Sequence, residues 1–179
     1  STNMLVCGED LGMIPDSVPD VMNKLQILSL EIERMPKSPQ SEFTDMHNLP
    51  YHSVCTTSTH DMSPLRSWWK EDRGKIQRYY NNVLHYEGQA PEECSSEIAS
   101  RIVENHLATN SMLTIIPLQD WFAIDDTVKR KDIESERINV PANSNHYWRY
   151  RMHIPLERLL SEDRFNDKIA ELITASGRK

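Results

Sequence analysis

The chain has 179 residues, 27 of them acidic and 20 basic, for a net charge of −7. That length allows one domain with a real core, and the acidic balance, without a basic stripe or polybasic tail, argues against a nucleic-acid backbone as partner. No apolar run approaches the ~18–20 residues of a membrane-spanning helix, and no signal peptide is visible.

Cys7, Cys55 and Cys94 show no CxxC spacing. They read as reduced, buried thiols of a cytoplasmic protein. The run Met4-Leu5-Val6-Cys7 leads straight into Gly8-Glu9-Asp10-Leu11-Gly12. An apolar run that ends in a glycine-closed turn predicts a buried strand with an exposed tip. Glu9 then lies just past the strand's carboxyl end, the edge where parallel α/β folds build their sites. A core-type strand beginning almost at residue 1 leads us to expect a piece of a longer chain. Val18, Val21, Met22 and Leu25 fall on one face of a helix. Residues 25–32 read as a strand, and the proline-rich, polar stretch 34–50 as a long loop.

A second strand, through Val54–Thr57, delivers Thr59-His60-Asp61 at its tip. Ser63 and Pro64 read as cap and first position of a helix carrying Trp68 and Trp69. Helices are predicted over 75–84 and from Pro91 to about His106, the latter with Glu92 and Glu93 suited to its N-terminus. Met112–Pro117 reads as a strand whose tip is Leu118-Gln119-Asp120-Trp121. Residues 125–147 are polar and irregular, and helix in two pieces follows from Leu156. This makes four β/α units with a parallel sheet, half the number that closes a barrel of about 250 residues.

Glu9 and Asp61 form the candidate chemistry. A glycosidic bond is broken by paired carboxylates, one protonating the leaving oxygen. Glu9 is the acid/base candidate, because a pocket at a strand tip favours the protonated carboxyl an acid needs. The competing reading is that Glu9 or Asp10 only caps a helix or satisfies turn amides. Asp61 beside His60 can hold sugar hydroxyls by charge-assisted hydrogen bonds, or simply cap the next helix. Trp68, Trp69, Trp121 and Trp148 can stack on sugars or pack the core. His47, His52 and His60 are ligand types, yet no HxH or HExxH spacing exists, so neither a metal nor a cofactor is expected.

Gly8-Glu9-Asp10-Leu11-Gly12, Thr59-His60-Asp61, Pro117-Leu118-Gln119-Asp120, Arg137-Ile138-Asn139-Val140-Pro141 and Tyr147-Trp148-Arg149-Tyr150-Arg151 occur in this order. Together they resemble the 4-α-glucanotransferases, the amylomaltases or disproportionating enzymes of glycoside hydrolase family 77. Leu30-Glu31-Ile32-Glu33-Arg34-Met35-Pro36 is similar to the plant cytosolic branch. The resemblance runs to about Pro155. It implies that residues 1–179 are one partial domain, the carboxyl-terminal half of a (β/α)8 TIM barrel, strands 5 to 8. The amino-terminal half and any starch-binding modules are not visible.

The resemblance further implies a retaining transfer of α-1,4-glucan from a maltodextrin donor to a sugar acceptor. It makes Glu9 the acid/base, Asp61 the stabiliser of the transition state and His60 the adjacent sugar-binding residue; Asp10, Trp68 and Asn139 are further candidate substrate contacts. No residue matches the family's nucleophile. Where the family commonly carries Asn-x-Pro-Gly-Thr, this chain has Asn139-Val140-Pro141-Ala142-Asn143, which removes a glycine's backbone freedom from that turn. The alternative is a carbohydrate-binding or accessory domain without chemistry. Half a closed sheet exposes its edges, so self-association is expected.

Overall fold

The structure, a computed structural model, describes residues 3–146 and 148–178. Tyr147, part of the last motif above, lies outside the described residues. The chain divides into two compact units, Ser1–Thr56 with Ala108–Ile115, and Thr57–Leu107 with Ile116–Lys179.

The first unit is built on a small parallel sheet. Its strands are β1 (Ser29–Ile32), β2 (Ser53–Thr56) and β3 (Leu113–Thr114), in the order β1-β2-β3. Leu30 pairs with Val54, and Val54 with Leu113. Ile32 and Cys55 are almost fully buried, and Cys55 packs with Met46 and Leu49 of the long loop. All of β2 is buried, as for a central parallel strand, whereas β1 is buried only at Glu31 and Ile32.

The predicted first strand is corrected. Met4–Cys7 contributes a single parallel bridge, Cys7 to Leu28, held by Gly8 N–H to Leu28 O and Leu28 N–H to Val6 O, both at 2.8 Å. Met4, Leu5 and Val6 are exposed, and so is Cys7, so that of the three thiols only Cys55 and Cys94 are buried as expected. Leu28 is the ladder partner found for this segment among the described residues, and one edge does not bury a strand's two faces. The predicted 25–32 strand is shortened as well. Leu25 closes helix α1 (Val18–Leu25), Gln26 takes a left-handed conformation (φ 54°), and pairing begins only at Leu28. Only Met22 of the four-residue apolar face of α1 is buried. Its Sδ and Cε lie against Gly8, where an added Cβ would approach Cε to 3.0 Å. The first glycine of the motif therefore leaves room for α1, and the second, Gly12, supplies a left-handed turn at φ 79°.

The second unit is helical: α2 (Leu65–Glu71), α3 (Arg73–Asn82), α4 (Ser96–Leu107), α5 (Leu118–Phe122), α6 (Leu156–Leu160) and α7 (Asp163–Ala175). Asp72 caps α3 by accepting the Lys75 N–H at 2.9 Å. Trp69, Tyr79, Ile76, Ile102, Val103 and Phe122 are almost fully buried. Three sequence expectations are corrected here. Ser63 does not cap α2; its hydroxyl bonds to Glu71 and Arg137. The helix after Pro91 starts at Ser96, so Glu97 occupies its first turn, while Glu93 pairs with Lys70 at 3.0 Å. The third strand ends early, and Leu118–Trp121 is the start of α5 rather than a loop tip. Five residues are too few for periodicity to separate a tip from a helical turn.

The observed fold is thus α/β, a small parallel sheet with helices, and no closed barrel is seen among the described residues. Among the described residues no helix is long and apolar enough to cross a membrane.

Candidate functional site

In the second unit two distant stretches of sequence meet. Asn139 donates its backbone N–H to the His60 carbonyl at 3.1 Å. Its side-chain amide donates to Asp61 Oδ1 at 2.5 Å. The other oxygen, Asp61 Oδ2, lies 3.3 Å from His60 Nε2. The His60 ring stands against Trp148, with centroids 5.0 Å apart. Asp61 and His60 keep 41% and 49% of their side-chain surfaces exposed, and Trp148 is 61% exposed. The arrangement is a carboxylate fixed by one amide, an imidazole and an open indole face.

The sequence explains the geometry locally. Asp61 follows a turn in which its own N–H points to Thr59 Oγ1 at 3.3 Å. Opposite it, Arg137 folds back so that Nε donates to the Asn139 carbonyl at 2.8 Å. The same guanidinium bonds to Ser63 and lies 3.7 Å from Glu71. His146 Nε2, 3.0 Å from the Ile138 carbonyl, closes the turn that contains Pro141. Beneath the site, Ser58, Thr59, His60, Met62, Pro117 and Ile138 line a cavity of about 80 Å³.

Trp68 is a correction. It is 6% exposed and packs edge-on against Tyr79 and Trp69, at 4.9 and 6.3 Å between ring centroids. It belongs to the aromatic core of α2 and α3, and the indole left open beside His60 is Trp148.

In the first unit Glu9 is exposed, so the pocket expected around it is not formed by these residues. Asp10, its neighbour, is buried. Its Oδ1 accepts the Leu30 N–H at 2.8 Å and its Oδ2 the Lys37 ammonium at 2.7 Å. Lys37 also reaches Glu31 at 2.6 Å. Asp10, Glu31 and Lys37 line one wall of a cavity of about 1060 Å³, with Met13, Tyr51 and His52 among its other walls. This is the size of a ligand cleft.

Sequence reasoning missed Glu136, Arg66 and the part played by Asp120. Asp120 is completely buried and accepts from Thr57 Oγ1 (2.6 Å), Ser58 Oγ (2.7 Å) and the Leu65 N–H (2.8 Å), so it caps α2. Glu136, 1% exposed, takes one bond from Arg66 Nη1 at 3.1 Å, and its Oε2 has no hydrogen-bond partner among the described residues. Burial raises its carboxyl to about 7 against the pull of Arg66. Burial and the nearby Glu136 charge raise the Tyr150 phenol too. Only proximity across 70 residues of sequence reveals the Arg66–Glu136 pair.

Comparison with known proteins places the chain. The family model for 4-alpha-glucanotransferase, glycoside hydrolase family 77, matches residues 1–157. A 4-alpha-glucanotransferase DPE2 of Oryza sativa subsp. japonica is 43% identical over 99% of this chain, which spans 19% of that protein. A 4-alpha-glucanotransferase of Chlamydia pneumoniae is 29% identical over 97% of the chain, which spans 33% of it. Among solved structures, an amylomaltase of Streptococcus agalactiae in complex with acarbose superposes with a TM-score of 0.72 at 18% identity. That match covers 96% of this chain and 32% of the amylomaltase. The chain belongs to the 4-alpha-glucanotransferase family, glycoside hydrolase family 77.

Proposed function

We propose that the protein carrying this chain is a 4-α-glucanotransferase that moves α-1,4-glucan segments from a maltodextrin donor to a sugar acceptor with retention. Family membership supports this reading, and the observation that carries it is the convergence of His60, Asp61 and Asn139 beside an open tryptophan. In the same reading the chain is the carboxyl-terminal half of a (β/α)8 barrel, to which the parallel order β1-β2-β3 conforms. The nucleophile comes from another part of the protein, and the compartment is cytoplasmic.

Glu9 acts as acid/base. It gives its proton to the glycosidic oxygen as the donor's anomeric carbon bonds to the nucleophile, then takes the proton of the acceptor hydroxyl that displaces the enzyme. Its exposure leaves it accessible to a bound glucan. Asp61 binds sugar hydroxyls more tightly as the ring distorts, with His60 and Asn139 orienting its two oxygens. Asp10 contributes as a wall of the large cavity beside Glu31 and Lys37. Trp148 takes the stacking place that Trp68, in the core, does not offer.

The test is incubation of the full-length protein with maltotriose, following glucose and longer maltodextrins, beside its Glu9→Gln variant. A ladder of longer sugars from the parent and a loss of at least ~100-fold in the variant are expected. A ladder made at equal rate by the variant overturns the role of Glu9. Sugar binding without turnover in the parent transfers the reading to an accessory carbohydrate-binding domain. The exposed Met4, Leu5 and Met13 predict self-association of the isolated chain, and a clean monomer in light scattering contradicts it.

A further inference from the structure

We propose that Arg66 and Glu136 are positioning residues for Asp61: their buried contact anchors the segment whose Asn139 grips the carboxylate. The inference rests on the functional reading above.

The chain of contacts is continuous. Arg66, on α2, is 7% exposed and donates from Nη1 to the Arg130 carbonyl at 2.7 Å and to Glu136 Oε1 at 3.1 Å. Glu136 ends a 3₁₀ turn, Glu134–Glu136, and its own carbonyl accepts from Gln119 Nε2 at 3.2 Å. The next residue, Arg137, bonds to the Asn139 carbonyl and to Ser63. Asn139 then holds both the His60 carbonyl and Asp61. Releasing Glu136 frees the start of this short segment, and the Asn139–Asp61 bond is three residues away.

Glu136 is faced by Arg66 of α2, Asp120 of α5, Arg130 of the preceding loop, and Tyr150. Its carboxyl, raised to about 7, changes charge within the working range of most enzymes. An ionised Glu136 grips Arg66 more strongly than a neutral one. The same ionisation costs the fold stability, because the charge is buried. Positioning and stability therefore respond to pH with opposite signs, which a purely structural role does not produce.

The test uses Glu136→Gln, which is neutral at every pH, in the full-length protein. At pH 8 its Tm is expected above the parent's while its kcat for maltotriose transfer falls ~10-fold at nearly unchanged KM. At pH 6, where the parent's Glu136 is mostly neutral, the two enzymes converge. Hydrogen exchange of the Asn139 amide provides a readout without turnover, with ~10-fold less protection in the variant at pH 8 and parity at pH 6. Arg66→Lys, which keeps the charge but not the fork, is expected to lower Asn139 protection as well, and it serves if Glu136→Gln does not fold. Equal kcat and equal Asn139 protection in parent and variant at pH 8 overturn the inference, as does an activity loss that is the same at both pH values. A parent that transfers no glucan overturns the functional reading, while the exchange result still decides the anchoring.

Discussion

Two aspartates that follow predicted strands, Asp61 and Asp120, ended in opposite conditions. Asp120 is wholly buried and receives two hydroxyls and a backbone amide. Asp61 has the Asn139 amide on one oxygen and the His60 ring 3.3 Å from the other, and leaves 41% of its side chain open. The first carboxylate is saturated by the protein and holds α2 in place. The second is oriented but not satisfied, so hydrogen-bonding capacity remains for a ligand. The tryptophans divide in the same way. Trp68 is spent on packing against Tyr79, while Trp148 remains open beside His60. On the proposed function, what separates a structural group from a functional one is the surface and the lone pairs left over after folding.

The contrast can be broken by substitution, and the largest effect is expected at Trp68. Trp68→Ala should lower unfolding free energy by about 3–5 kcal/mol, whereas Trp148→Ala should stay within ~0.5 kcal/mol and act on sugar binding instead. Denaturant titration of both variants checks this, and equal losses would erase the division. Next comes Asp120→Ala, which removes the acceptor shared by two hydroxyls and the Leu65 amide and should cost about 3 kcal/mol. Asp61→Ala, at the same stage of its β/α unit, should cost under ~1 kcal/mol.

Glu136 is a third case, buried but underbonded, and it sharpens the comparison through pH. Its carboxyl rises from 4.5 to about 7 because of burial, opposed by Arg66. Between those values the folded chain keeps a proton that the unfolded chain has released. Stability from this group is therefore complete below about 4.5 and is lost as pH rises through about 7, by up to about 3 kcal/mol at 1.36 kcal/mol per unit. Chemical denaturation at pH 5 and pH 8 should show this fall in the parent and its absence in Glu136→Gln.

Much of the scaffold was legible in the sequence. β2 and α3 stand close to where an apolar run and a polar, cap-led stretch put them, because those signals are local. Asp61, His60 and Asn139 were named from motifs, yet nothing local said that Asn139 bonds to Asp61 across 78 residues. Trp68 was misplaced for a related reason, since an indole's suitability for stacking is the same in a core and in a cleft. Met4–Cys7 has the composition of a buried strand, but burial depends on neighbours that composition does not contain. Glu136 sits in a polar stretch that reads as loop, and only the approach of Arg66 makes it a buried pair.

The central claim is that Asp61 is held for a transition state rather than for the fold. The most direct measurement is the steady-state kinetics of maltotriose transfer by the full-length protein and its Asp61→Asn variant. With Asp61 in that role, kcat is expected to fall by roughly 100-fold or more with KM within ~3-fold and thermal stability unchanged, as for a group that strengthens its contact only in the transition state. An unchanged kcat, or a loss that follows a fall in stability, would contradict it.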